Sequence, residues 1–234
     1  MSALAHPRPH GWQTMLHPDD GSGLPAAALW KQFDGLRRAC SSALVGGGMV
    51  RVGWVVNATV STDYFHPDPA AHALGIPAVL GLAGDGACLL TAVDVGVNAR
   101  WAEEQGVIAM ATAGISSMCR AAEPATSPAA FPVIGAESEP HHAGTINIVL
   151  ELPVAMSPAA MVNLVMTATE AKVQYFAEAG HAATGTPTDA IVVVCPDHEH
   201  AADGEYGGPR SPWGSVAARV VLAALNARDC EMLL

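Results

Sequence analysis

The chain has 234 residues, half of them apolar and only 14% charged, and its formal net charge at pH 7 is −11. A field of that sign repels phosphate backbones, and no run of Lys or Arg offsets it, so the composition argues against nucleic-acid binding. No stretch of about 18 uninterrupted apolar residues occurs, and the first residues lack a charged segment followed by an apolar one, so we expect neither a membrane span nor a secretion signal.

The low charge and the cysteines indicate how the protein is assembled and where it resides. An average globular chain carries about 25% charged residues, so this one has much apolar surface to bury, and we expect a homo-oligomer. The five cysteines are odd in number, widely scattered and include no C-x-x-C pair. Free thiols in a reducing cytoplasm are the simplest interpretation. The cysteines are Cys40, Cys88, Cys119, Cys195 and Cys230.

Taken in chain order, residues 1–28 are rich in His, Pro, Gly and Asp and predict an irregular arm with one short strand near 12–16. Residues 29–234 form a single predicted domain. Trp101 to Glu104 predict a short helix that ends at Gly106, and residues 121–144 predict a long surface loop. Strands are predicted at 37–45, 50–60, 87–95, 106–113, 145–152 and 190–195, with a turn at 46–48 between the first two.

Two longer helices carry clear start signals. Ser157 is an N-cap residue followed by Pro158, and Gly180 ends that helix. Ser211 and Pro212 give the same signal for a second helix that runs to about Arg228. Strands mixed with a few helices, without strict alternation, predict an α/β fold with a mixed sheet layered with helices.

The first of these helices carries a lysine on its apolar side. At 100° per residue, Lys172 falls on the side of Met161, Val165, Thr169 and Phe176 rather than with the polar stripe. The ammonium of such a lysine either snorkels to water over its own methylenes or pairs with a carboxylate in a polar pocket. The polar stripe itself predicts a solvated helix face, and it comprises Asn163, Thr167, Glu170, Gln174 and Glu178.

Four strings, in this order along the chain, resemble the adenosylcobinamide amidohydrolase family. They are residues 144–148 (Gly-Thr-Ile-Asn-Ile), 167–172 (Thr-Ala-Thr-Glu-Ala-Lys), 184–190 (Thr-Gly-Thr-Pro-Thr-Asp-Ala) and 208–214 (Gly-Pro-Arg-Ser-Pro-Trp-Gly). Weaker similarities lie at 41–48, 54–57 and 90–94. The resemblance spans about residues 37–226.

This resemblance implies hydrolysis of the amide that joins aminopropanol to the corrin ring of adenosylcobinamide. The products would be adenosylcobyric acid and 1-aminopropan-2-ol, with the corrinoid as substrate and no separate cofactor. A non-catalytic protein that binds or delivers corrinoids is the alternative from another class, and a purely structural oligomer is a third. Only an enzyme would release aminopropanol catalytically.

Amide hydrolysis needs a nucleophile, a proton shuttle and donors aimed at the developing oxyanion. Glu170 or Asp189 would activate water, or Thr145 or Thr186 would act as nucleophile with Lys172 as its partner. Clusters of Thr, Gly, Pro and Asp are also ordinary turn formers. The further candidate substrate-binding residues are Asn57, Thr91, Asp94, Asn147, Asn163, Thr184, Ser211 and Trp213.

The start of the last helix adds Arg210, which together with the free backbone N–H groups favours a negative group such as a tetrahedral oxyanion. Ordinary helix capping explains Ser211 and Pro212 but not Arg210. The histidine pairs His141–His142 and His198–His200 lie in loops without helical spacing, so they do not supply the three ligands of a catalytic zinc. We therefore expect no metal.

Overall fold

The structure is a computed structural model, and it describes residues 5–16, 25–64, 66–124 and 144–227. Nine strands in these residues form one mixed sheet, and four α-helices accompany it. The strands are β1 (Ala5–Pro7), β2 (Gln13–Leu16), β3 (Ala27–Ser41), β4 (Gly48–Thr59), β5 (Gly86–Thr91), β6 (Arg100–Glu104), β7 (Val107–Ala113), β8 (Ile146–Glu151) and β9 (Ala190–Pro196). The helices are α1 (Pro69–Val79), α2 (Val95–Asn98), α3 (Pro158–Glu178) and α4 (Pro212–Asn226).

The long strand β3 connects the two halves of the sheet. Along one edge it pairs with β4, which continues in parallel to β5. Along the other edge, the first part of β3 pairs with β2 and the last part pairs with β9, which leads through β8 and β7 to β6. Only β4–β5 and β8–β9 are parallel pairs, and α3 is the crossover helix between β8 and β9. The prediction of a mixed α/β sheet in a single domain is confirmed.

The two halves pack face to face, so the fold has four layers. Alternate residues of β8 and β9 point to opposite sides, as in any strand. Ile148 and Val193 face α3 and α4, whereas Val149 and Val192 face the β3–β4–β5 half. A third apolar cluster, which includes Trp54 and Ile76, lies between that half and α1.

The capping signals located both long helices. Ser157 accepts a hydrogen bond from Ala160 N at 3.1 Å, and Ser211 accepts one from Gly214 N at 3.1 Å. Gly180 follows α3 with a φ of +77°, a conformation that glycine adopts without steric cost. The starts and ends of both helices match the prediction closely, with α4 ending at Asn226.

Some local predictions were wrong. Residues 101–104 lie in β6, because Gln105 and Gly106, both with positive φ, turn the chain into a β6–β7 hairpin. Strand β3 begins about ten residues before the predicted 37, and α1 was not predicted. The predicted strand near 12–16 is confirmed as β2. Most of the predicted loop at 121–144 lies outside the described residues.

No helix of the described residues is long and apolar enough to cross a membrane. The boundary between an N-terminal arm and the domain stays a prediction. Within the arm, the described residues 5–16 contribute β1, a short 3-10 turn and β2, and β2 pairs with β3.

Candidate functional site

The ammonium of Lys172 is paired with a carboxylate. Lys172 projects from α3 toward the start of β9, where its Nζ bonds Oδ2 of Asp189. The two side chains are only 9% and 11% exposed. Of the two alternatives for this lysine, the structure therefore shows the buried pair and not the snorkelling side chain.

Asp189 joins three segments of the chain. Its Oδ1 accepts hydrogen bonds from Ile146 N at 2.9 Å and from the Thr186 hydroxyl at 2.5 Å. Its Oδ2 accepts the bond from Lys172 and another from Thr186 N at 3.0 Å. A carboxylate has about four lone-pair positions, so the acceptor capacity of Asp189 is fully used. We call Lys172, Thr186 and Asp189 the ionic cluster.

Two further hydroxyl groups, those of Thr145 and Thr188, lie beside the ionic cluster. Oγ1 of Thr145, immediately before β8, is 2.6 Å from Oγ1 of Thr188. Thr145 and Thr186 are 5% and 7% exposed, whereas Thr188 is exposed. The cluster thus lies directly beneath the surface, at the end of the sheet where β8 and β9 begin.

Gly185 lies in close contact with the ion pair. A Cβ atom there would lie 2.6 Å from Lys172 Nζ and closer still to Asp189 Oδ2. Atoms do not approach so closely, so a side chain at Gly185 would force one or both ends of the ion pair to shift.

The segment after β7 covers the cluster and contains a cysteine that the sequence did not identify as a site residue. Cys119 N donates to Gly185 O at 2.9 Å, and Thr184 N donates to Cys119 O at 2.9 Å. Burial raises the pKa of the Cys119 thiol, and the negative charges of Asp189 and Glu123 raise it further, against the opposing effect of Lys172. The thiol is therefore mainly protonated at neutral pH, which makes it a poor nucleophile.

Glu170, the other predicted base, lies away from the cluster. It is exposed on α3, two positions before Lys172 and therefore on a different side of the helix. Thr167 of the predicted polar stripe is in fact buried, and its hydroxyl donates to Gly207 O at 2.8 Å. The exposed members of the stripe are Asn163, Glu170, Gln174 and Glu178.

The residues at the start of α4 line a separate groove. Asn163 and Arg210 meet there with Ser211 and Tyr206, around a cavity of about 540 Å³. Asn163 lies nine positions before Lys172 on α3, or about 13.5 Å along the helix axis at about 1.5 Å per residue. The structure therefore brings Asn163, Arg210 and Ser211 together, but it does not bring Arg210 into contact with the ionic cluster.

Hydrogen bonds explain two more of the predicted substrate-binding residues in structural terms. Trp213 Nε1 donates to Asp203 at 3.0 Å, so its ring packs beside the loop before α4. The Thr184 hydroxyl accepts a hydrogen bond from Ala121 N at 2.8 Å and thereby holds the segment that covers the cluster.

Four others also make hydrogen bonds within the fold, two of them between strands and two in the turn and helix cap that follow β5. Asn147 donates to Asn57 Oδ1 at 2.8 Å, and both residues are fully buried between the two halves of the sheet. A substrate would have to separate those halves to reach them. Thr91 accepts a hydrogen bond from Val93 N at 3.1 Å, and Asp94 caps α2 through Gly96 N at 2.8 Å.

Histidines provide no metal site in the part of the chain that is described. His198 Nδ1 lies 2.7 Å from Glu199 O, and His200 Nε2 lies 2.8 Å from Glu205 Oε1. No group of three His, Cys, Asp or Glu residues there is arranged to hold a metal ion. His141 and His142 lie outside the described residues.

Fold and site together define an α/β protein with a buried ion pair and a cluster of threonine hydroxyls at one end of its sheet. A family model described as adenosylcobinamide amidohydrolase matches residues 19–228, so the chain belongs to that family. An adenosylcobinamide amidohydrolase of Halobacterium salinarum is 33% identical in an alignment of 196 residues that covers 78% of each chain. One of Methanosarcina mazei is 29% identical over 167 residues, or 71% of each chain.

Proposed function

We propose that this protein hydrolyses the amide that links aminopropanol to the corrin ring of adenosylcobinamide, giving adenosylcobyric acid and 1-aminopropan-2-ol. Membership of the family supports corrinoid amide hydrolysis. The observation that carries the proposal is the ionic cluster, since Lys172, Thr186 and Asp189 come from two of the four strings that resemble the family. No bound metal is required by this proposal.

Thr186 is the proposed nucleophile. Its hydroxyl already donates to Asp189 Oδ1, and hydroxyl nucleophiles need a neighbouring base in this position. Because the carboxylate of Asp189 accepts four hydrogen bonds, it has no free lone pair with which to activate a water molecule directly. The threonine alternative therefore fits the geometry better than water activation by Asp189.

The reaction then proceeds through an ester. Thr186 Oγ attacks the amide carbon while its proton passes to Asp189, and the C–N bond breaks as that proton moves to the leaving amine. Water adds to the ester carbon, which releases the corrin carboxylate and restores the Thr186 hydroxyl. Lys172 supplies positive charge beside the developing oxyanion, which an ammonium in a partly dehydrated site stabilises more strongly than in water.

Arg210 and Asn163 belong to substrate binding in this proposal. The groove that they line has a volume of about 540 Å³, which suits part of a large ligand. It is bordered by Asn163 of α3, the helix that also carries Lys172. Arg210 offers donors at the groove and bonds only its neighbour Pro209, at 3.4 Å, among the described residues.

The experiment is to incubate the purified full chain with adenosylcobinamide and identify the products by mass, with and without a chelator. Release of aminopropanol over many turnovers, unchanged by the chelator, is expected. Retention of intact corrinoid without release would indicate a binding or delivery protein instead. Loss of activity with the chelator and its return with zinc would show that a metal is needed.

A further inference from the structure

Three aromatic rings meet in the segment between β4 and α1. The ring of His66 lies 5.2 Å from that of His72 and 6.4 Å from that of Tyr64, and the planes are 21° and 12° apart. Tyr64 and His72 are 5.4 Å apart. None of these residues takes part in the ionic cluster or the groove, so the grouping needs a separate explanation.

The two imidazoles differ in what their nitrogens do. His72 Nδ1 lies 2.7 Å from the Tyr64 hydroxyl oxygen, and His72 Nε2 has no hydrogen bond to any described residue. His66 Nδ1 instead accepts a hydrogen bond from Asp68 N at 3.1 Å, which leaves the proton of the neutral ring on its Nε2. In the tautomer that carries its proton on Nδ1 and donates it to the Tyr64 oxygen, His72 has its free lone pair on Nε2.

This arrangement is the one that metal-bound histidines adopt. A ligating imidazole uses one nitrogen for the metal and donates the N–H of the other to an oxygen, which fixes the ring and the tautomer. Burial and the negative charge of Asp68 raise the pKa of Tyr64, so its phenol stays neutral and its oxygen can accept the Nδ1–H of His72.

The surface beside His72 suits a large apolar ring. Helix α1 contains no charged side chain other than that histidine when protonated, and Leu74 and Val79 are 62% and 45% exposed. Ala71, Gly75 and Ala78 are exposed on the same side and have little or no side chain, so a macrocycle would meet few protruding atoms.

The segment that holds the three aromatic rings also lies at the end of the sheet where the ionic cluster is found. Thr59, the last residue of β4, donates to Val93 O at 3.0 Å. The side chain of Val93 adjoins Gly114, whose N–H donates to Thr145 O at 2.9 Å. A continuous series of contacts thus connects the end of β4 with the start of β8.

Building on the proposed function, we infer that Nε2 of His72 is an axial ligand of the cobalt in the bound corrinoid. The imidazole replaces a water molecule on the face opposite the adenosyl group, so one Co–O bond breaks, one Co–N bond forms and no electron is transferred. Tyr64 is a positioning residue, because it acts on the cobalt only through His72. The ligand thereby fixes the height and tilt of the corrin ring above α1.

Electron paramagnetic resonance of the full chain with cob(II)inamide tests this inference. One axial nitrogen splits each cobalt line into a triplet, and histidine labelled with ¹⁵N in its ring turns the triplet into a doublet. We expect the triplet in the parent protein and in His66→Ala, and its loss in His72→Ala with the corrinoid still retained on a desalting column. Tyr64→Phe should weaken but not abolish the signal.

A parent protein that retains cob(II)inamide without nitrogen splitting would overturn the inference, as would a triplet that persists in His72→Ala. The parent protein needs no substitution, so the absence of nitrogen splitting in it rejects the inference even if the His72 variant does not fold. Release of aminopropanol without nitrogen splitting would reject the cobalt ligand alone. Failure to bind any corrinoid and to release aminopropanol would reject the proposed function as well.

Discussion

Lys172 and Asp189 form a buried ion pair that ties the middle of α3 to the start of β9, 17 positions further along the chain. The only other lysine, Lys31, forms a comparable pair with Glu151 at 2.6 Å, at the opposite end of β8. Both pairs are largely buried, but only the first includes a threonine hydroxyl on the carboxylate. Substituting each lysine in turn therefore distinguishes a role of Lys172 in stability from a role in catalysis.

Replacing Lys172 with Met keeps most of the side-chain volume and leaves the Asp189 charge without its partner. Breaking a buried pair on one side costs about 3–5 kcal/mol. We expect a lower melting temperature and, in protein that remains folded, a rate of aminopropanol release reduced by more than about tenfold, as a loss of about 1.4 kcal/mol in the transition state would give.

Lys31→Met is the matched control, because it breaks a similar pair away from the ionic cluster. It should lower stability to a similar extent while leaving the rate per folded molecule near that of the parent. Equal rate losses in the two variants would mean that Lys172 acts through stability alone.

Thr186→Val should abolish turnover while preserving the shape of the site, because it removes only the hydroxyl that bonds Asp189. Losing the nucleophile and its proton transfer should lower the rate by at least about 100-fold. Thr186→Ser keeps the hydroxyl and should retain measurable activity. Single-turnover reactions quenched in acid should show a corrin ester on Thr186 by peptide mass, and full activity of Thr186→Val would reject the covalent route.

Cys119→Ser should leave the rate nearly unchanged, although Cys119 lies beside the cluster. Burial and the nearby negative charge of Asp189 raise the pKa of its thiol, so little thiolate exists at neutral pH. Accordingly, a neutral alkylating reagent should modify it slowly at pH 7 and faster as the pH rises toward the thiol pKa. Rapid alkylation at pH 7 with parallel loss of activity would identify Cys119 as the nucleophile.

The features that could be predicted from the sequence are those that depend on neighbouring residues alone. Ser157 and Ser211, each followed by proline, located both long helices because capping involves only neighbouring residues. Helix α1 escaped prediction because apolar residues occur all around it, so it has no polar stripe to reveal its period.

The same difference between local and long-range features applies to the site. Helical periodicity placed Lys172 on the buried side of α3, but its partner depends on the crossover that brings the start of β9 beside that helix. Thr188 and Cys119 reach the cluster through loop contacts, which no periodic pattern encodes. The threonine string at 184–190 was interpreted both as a turn and as a site, and the structure shows a turn whose hydroxyl and backbone groups bind Asp189.

Assembly stays a prediction that the low charge supports. Large apolar side chains such as Val162 and Met166, 49% and 54% exposed on α3, remain accessible in the single chain. Sedimentation at micromolar concentration should give a multiple of 24.0 kDa. A single species of 24.0 kDa over that range would contradict self-association.

Gly185→Ala tests whether the ion pair itself is needed, without altering either charged residue. The added methyl group would overlap Asp189 Oδ2 and approach Lys172 Nζ to 2.6 Å, so one or both ends of the pair must shift. We expect a loss of activity comparable to that of Lys172→Met, measured as aminopropanol release per folded molecule, together with a lower melting temperature. Gly35→Ala is the control, because a Cβ there meets no atom within 4 Å and should change neither quantity appreciably. If Gly185→Ala turned over at the parental rate, the close contact of Lys172, Gly185 and Asp189 would serve the fold alone, and the catalytic group would have to be sought at Arg210 and its groove.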